Sequence, residues 1–167
     1  MIYLFDDNES DQMSKNYGVD MMEELSSYSD LIKHIQKAVG AEGLEVIFSN
    51  AKAIFIHASF PPIKFRSDVC KEAGKRDLPL VIFTGGETAM VWDEKKANTI
   101  RQIKKDRFYH YLIPFLKYCK AHPDEPLEIR KLVFGGSYEI EKSLIIQDRL
   151  ALFYRAGLEV LIMNLIS

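Results

Sequence analysis

Four short runs in this chain are apolar residue after residue: "IYLF" (2–5), "AIFIHA" (53–58), "LPLVIF" (78–83) and "LEVLIM" (158–163). A strand with one wet face alternates apolar and polar side chains, so an unbroken run implies that both faces are covered. Helices must then lie on each side of a sheet, and the intervening segments have the longer period that helices need. In 107–119, Phe108, Tyr111, Leu112, Phe115, Leu116 and Cys119 fall at i, i+3, i+4, i+7, i+8 and i+11, one apolar stripe that Pro114 should kink or split. Residues 138–155 form a second helical face, entered through Ser137 and stopped by Gly157, and residues 20–39 a third, ended by Gly40. "LEVIF" (44–48) and "KLVF" (131–134) are shorter strand candidates. The alternation predicts an α/β fold, three-layered and doubly wound, around a mainly parallel sheet.

A chain of 167 residues can bury one core without staples, and no linker or low-complexity segment divides it, so a single domain over 1–167 is expected. A net charge of −2 gives no global attraction to nucleic acid or to an anionic membrane. Charge is uneven all the same. Asp6, Asp7, Glu9, Asp11, Asp20, Glu23, Glu24 and Asp30 crowd residues 1–30, whereas Lys95, Lys96, Arg101, Lys104, Lys105 and Arg107 crowd 95–107. Two solvated faces, facing each other in the fold, are the expected outcome. Cys70 and Cys119 have neither metal nor redox spacing and read as reduced thiols. "MIYLFDDN" has no basic n-region, and the apolar run near the C-terminus is too short to span a bilayer, so the expected location is the cytoplasm.

In an open parallel sheet, residues at the carboxyl ends of the strands line the functional crevice. The first strand ends in Asp6 and Asp7, the strand at 53–57 in His57, and the strand at 79–84 in Thr84. Adjacent carboxylates after a buried strand need solvent, hydrogen bonds or a cation such as Mg²⁺; an Asx-turn or a helix cap at Asp6-Asp7-Asn8 would serve equally. "VIFTGGET" (81–88) and "LVFGGSYE" (132–139) echo each other as strand, Gly-Gly and polar helix start. Gly85, Gly86, Gly135 and Gly136 are thus candidate anion-binding turns, although neither stretch matches a phosphate-loop pattern and a structural turn explains both. His34, on the polar face of the predicted 20–39 helix, His110 among aromatics and His122 before Pro123 share no zinc spacing. Trp92 reads as a loop anchor at the sheet edge.

The order of these features resembles the receiver domain of two-component response regulators. Asp6 and Asp7 match the family's Mg²⁺-holding acidic pair, "HASFP" (57–61) its phospho-acceptor stretch, and Thr84 its switch hydroxyl, with separations of about fifty and about twenty-seven residues. The resemblance covers about residues 1–85 and implies a receiver- or flavodoxin-like fold with an enlarged C-terminal half, since eighty-three residues follow Thr84. His57 stands where the family has its acceptor aspartate, and neither "LVFGG" nor "LEVLIMN" ends in the family's lysine. His57 reads first as a pseudo-receiver residue paired with Asp6 or Asp7, then as a catalytic base, then as a phosphohistidine acceptor. The resemblance implies a non-catalytic regulatory domain in bacterial signalling or stress and defence. Its partner would be a protein met around residues 84–120, with a second copy of the chain as another candidate and no nucleic acid or membrane. The rival is a Mg²⁺-dependent phosphoesterase or nuclease using Asp6, Asp7 and Glu87 or Asp93, with the basic stretch on phosphate. A sensor of small anionic ligands at the Gly-Gly turns is a third reading.

Overall fold

The computed structural model describes residues 1–7, 21–86, 90–93, 95, 96 and 98–133. The chain divides into two units, Met1–Gly136 and Ser137–Ser167, and every described residue belongs to the first. The expected strand at 158–163, the helix at 138–155 and the turn at Gly135 and Gly136 lie outside the described residues.

The elements run β1 (Ile2–Phe5), α1 (Met21–Ser26), β2 (Ile32–Ile35), α2 (Ala41–Asn50), β3 (Ala53–His57), α3 (Ile63–Lys75) and β4 (Leu80–Thr84). They continue with β5 (Val91–Trp92), β6 (Thr99–Lys104), α4 (Lys105–Ala121) and α5 (Ile129–Val133). One six-stranded sheet has the order β2-β1-β3-β4-β6-β5. All neighbours pair parallel except β5, which runs antiparallel to β6 along the edge. Its five parallel strands follow the flavodoxin-like order, with the connection reversing direction between β1 and β3.

Side-chain alternation sorts the strands onto two cores. Ile2 and Leu4 of β1, Phe55 of β3, and Val81 and Phe83 of β4 join Phe108, Leu112, Phe115 and Leu116 of α4, with Leu25 of α1 and Leu132 of α5. The alternate residues, Tyr3, Phe5, Ile54, Ile56 and Leu80, join Ile47 and Phe48 of α2 and Val69 and Ala73 of α3. The sheet is thus covered on both faces, as the unbroken apolar runs required. Burying each such side chain contributes about 1.5–3 kcal/mol against the entropy of ordering the chain.

Several elements differ from expectation. "LEVIF" lies in helix α2: Leu44, Ile47 and Phe48 sit at i, i+3 and i+4, and that spacing outweighs the apolar run. The helix expected over 20–39 stops at Ser26, and 32–35 pairs with β1 as an edge strand. "KLVF" begins inside helix α5 and is not a strand. Helix α4 runs unbroken through Pro114. Pro114 and His110 both lie on its exposed face, where water can take the carbonyl bond that proline cannot make. Trp92 is placed on edge strand β5, packed against the core under α4.

Candidate functional site

The sheet's carboxyl edge collects charge where the neighbouring strands β1 and β3 end side by side. Alternation after Ile2 and Leu4 points the next such residue, Asp6, toward helix α4, and the Asp6 N–H still donates to the Ile35 carbonyl at 3.2 Å, prolonging the strand geometry. Asp6 is wholly buried. A carboxylate there needs strong partners. Lys105 and Tyr109, one helical turn apart at i and i+4 on α4, supply them. Lys105 Nζ lies 2.9 Å from Asp6 Oδ2 and 3.1 Å from Oδ1, and the Tyr109 hydroxyl donates to Oδ2 at 2.5 Å. The ammonium is itself buried and lies 5.7 Å from the ring centroids of Phe83 and Tyr109. A cation in a helix's first turn has the wrong sign for the helix dipole, and Asp6 provides the compensating charge.

His34 completes the surroundings of Asp6 from β2. Its Nε2 lies 2.8 Å from the Asp6 carbonyl oxygen. Burial pushes its pKa down, and because a carbonyl oxygen only accepts, Nε2 carries the hydrogen and donates it to Asp6. The expected polar helix face for His34 is replaced by this strand position.

The same alternation in β3, Ala53, Phe55 and His57, brings His57 to the α4 side. Its ring stacks on Phe83 (centroids 5.3 Å apart), and Phe83 stacks on Phe108 at 4.3 Å. His57 Nδ1 is 3.2 Å from Asp7 Oδ1 and 3.7 Å from Asp6 Oδ1. The Ser-Phe-Pro-Pro turn beyond is tied down by Phe60, which is buried edge-on against Phe5 at 5.6 Å, and by Arg66, which donates to the Ala58 carbonyl. Ser59 is exposed in that turn.

The structure therefore brings Asp6, Asp7 and His57 together and adds Lys105, Tyr109 and His34. Thr84 ends β4 on the same edge, with its hydroxyl accepting from the Gly86 N–H at 3.4 Å. Gly85 and Gly86 follow Thr84 directly, and the residues that would show whether a helix opens after them lie outside the described ones; the next described element is strand β5. Glu87 lies outside the described residues. Asp93 is held by Arg101 at 2.8 Å, and its carboxyl lies below the usual range, chiefly through that bond.

A lysine reaches this edge after a strand that the sequence-based expectations did not include. It follows β6, the fifth parallel strand, whereas its expected place was after 132–136 or 158–164. It was hidden within the basic stretch, three other members of which have partners of their own. Lys96 donates to the Gly74 carbonyl, Arg101 pairs with Asp93, and Lys104 lies 3.7 Å from Asp106. The Lys105–Asp6 pair joins a member of the acidic stretch to a member of the basic one.

A Mg²⁺ ion at the acidic pair finds an unsuitable donor set. It asks for a near-octahedral shell of oxygens, whereas the third donor here is an imidazole nitrogen. A cavity of about 460 Å³ lies at the opposite edge of the sheet, between Ile2, Leu31, Pro79, Phe115 and Lys131. Among the described residues no helix is long and apolar enough to cross a membrane. Comparison with family models, curated proteins and solved structures yields no match for this chain.

Proposed function

We propose that this chain is a non-catalytic, receiver-like regulatory domain that acts through contacts with a protein partner. The observation that carries the reading is the convergence of Asp6, Asp7, His57 and Lys105 at the carboxyl edge of a sheet with the flavodoxin-like strand order. An acidic pair after the first strand and a lysine after the fifth are the receiver arrangement, with His57 in the place of the phospho-acceptor. Imidazole cannot form an acyl phosphate. Regulation must then come from a ligand or partner that binds one state of the domain better than another. The partner surface lies around residues 84–120, where β5, β6 and α4 stand, and the setting is bacterial signalling or stress and defence in the cytoplasm. The phosphoesterase reading is weaker, because Asp93 is committed to Arg101 and Lys96 to the Gly74 carbonyl.

Acetyl phosphate with Mg²⁺ tests the proposal. The wild-type chain should acquire no hydroxylamine-sensitive phosphoryl label. A stoichiometric label of that kind would overturn it.

A further inference from the structure

The donors around His57 have a chemical preference that stands independently of the regulatory reading. We propose that Asp6, Asp7 and His57 bind one late first-row divalent cation of the zinc type and discriminate against Mg²⁺. One ligand atom from each of the three lies within 4.8 Å of the other two. Two atoms bonded to zinc at about 2.0–2.1 Å and a tetrahedral angle stand about 3.4 Å apart. The separations of His57 Nδ1 from Asp7 Oδ1, 3.2 Å, and from Asp6 Oδ1, 3.7 Å, bracket that edge. Neighbouring oxygens around Mg²⁺ at about 2.0–2.1 Å stand nearer 3.0 Å apart, and the ion takes imidazole poorly.

Charge points the same way. Two carboxylates and the Lys105 ammonium leave the cluster with a single net negative charge when His57 is neutral. That is a weak attraction for a hard, strongly hydrated ion, whereas a bond from imidazole nitrogen to zinc does not rely on charge alone. Access is present: Asp7 is 37% exposed and the His57 side chain 12%, which leaves the fourth position to water. Stacking on Phe83 holds the imidazole plane in place, the kind of support that sharpens metal sites.

The test is calorimetric titration of the wild-type protein with Zn²⁺ and, separately, Mg²⁺, and the visible absorption of the Co²⁺ form. One equivalent of Zn²⁺ should bind, Co²⁺ should give the intense bands of a tetrahedral site, and Mg²⁺ at the same concentrations should give no binding. Asp7→Asn, at a half-exposed position, and His57→Ala should each weaken Zn²⁺ at least about tenfold, with circular dichroism confirming the fold. His110→Ala and His122→Ala should leave the affinity unchanged. Absence of Zn²⁺ binding, Mg²⁺ binding of equal strength, or Zn²⁺ affinity indifferent to both Asp7→Asn and His57→Ala would each overturn the assignment. Acetyl phosphate labelling of the wild-type chain bears on the regulatory reading alone, so the two can fail separately.

Discussion

Two lysine–tyrosine–carboxylate clusters stand at opposite edges of this sheet, built from the same chemistry to different depths. At the carboxyl edge Lys105 and Tyr109 hold Asp6, which is 0% exposed. At the amino edge Lys131 lies 2.6 Å from Glu125 Oε2, and the Tyr118 hydroxyl donates to the same oxygen at 2.6 Å. Lys131 is buried, with its ammonium 4.6 Å from the Tyr118 ring centroid, but Glu125 is 43% exposed. The first cluster joins β1 to α4 across almost the whole described chain. The second joins residues 6 to 13 positions apart, beside a cavity. Depth decides what each is worth. Water can replace the partners of Glu125, and nothing comparable can replace those of Asp6.

The largest expected contrast is between the lysines. Lys105→Met leaves a buried carboxylate without its cation and should cost roughly 3–5 kcal/mol in urea unfolding. Adding Asp6→Asn should recover much of that loss, because the uncompensated charge is gone. Lys131→Met, whose partner can turn to solvent, should be close to neutral. Equal losses for the two lysines would remove the distinction between the clusters.

Tyr109→Phe comes next. Loss of a hydrogen bond to a buried carboxylate should cost about 1.5–3 kcal/mol, and Tyr118→Phe should cost visibly less in the same assay. The third contrast is with pH. Hydrogen bonds from Lys131 and then Tyr118 hold the Glu125 carboxyl below its usual range. Its stabilisation is therefore complete above the unfolded carboxylate value, about 4.3, and disappears as pH falls through the lower folded value. Unfolding curves of wild type and Glu125→Gln should converge in acid.

The smallest effect concerns Cys119, whose thiol burial pushes up to about 11, with Lys131 pulling it down in part. It should react slowly with iodoacetamide near neutral pH, and more slowly still in Lys131→Met, because less thiolate is present.

The parallel sheet was legible because β1, β3 and β4 are buried on both faces, and their last residues marked Asp6, Asp7, His57 and Thr84. The edge strand β2 was not: in "IKHI" only Ile32 is fully buried, so no apolar run announces it. Strand β6 hid for a similar reason, as "TIRQIK" carries Arg101 and Lys104 beside its buried Ile100 and Ile103. Missing β6 meant missing Lys105, since a lysine in a basic stretch looks solvated until the strand before it is placed. Tyr109 was lost with it, although its i, i+4 spacing from Lys105 was there to read. His34 could be understood only once β2 lay beside β1, because its partner is a backbone carbonyl that no side-chain pattern reveals.

The central claim is that His57 occupies an acceptor position in an edge otherwise still built to receive a phosphoryl group. His57→Asp tests it most directly. In acetyl phosphate and Mg²⁺ the folded variant should gain a hydroxylamine-sensitive label that the wild type lacks, as the third donor becomes oxygen and Lys105 stands beside the acidic pair. A folded His57→Asp protein that stays unlabelled, or a wild-type chain that labels equally well, would contradict the account.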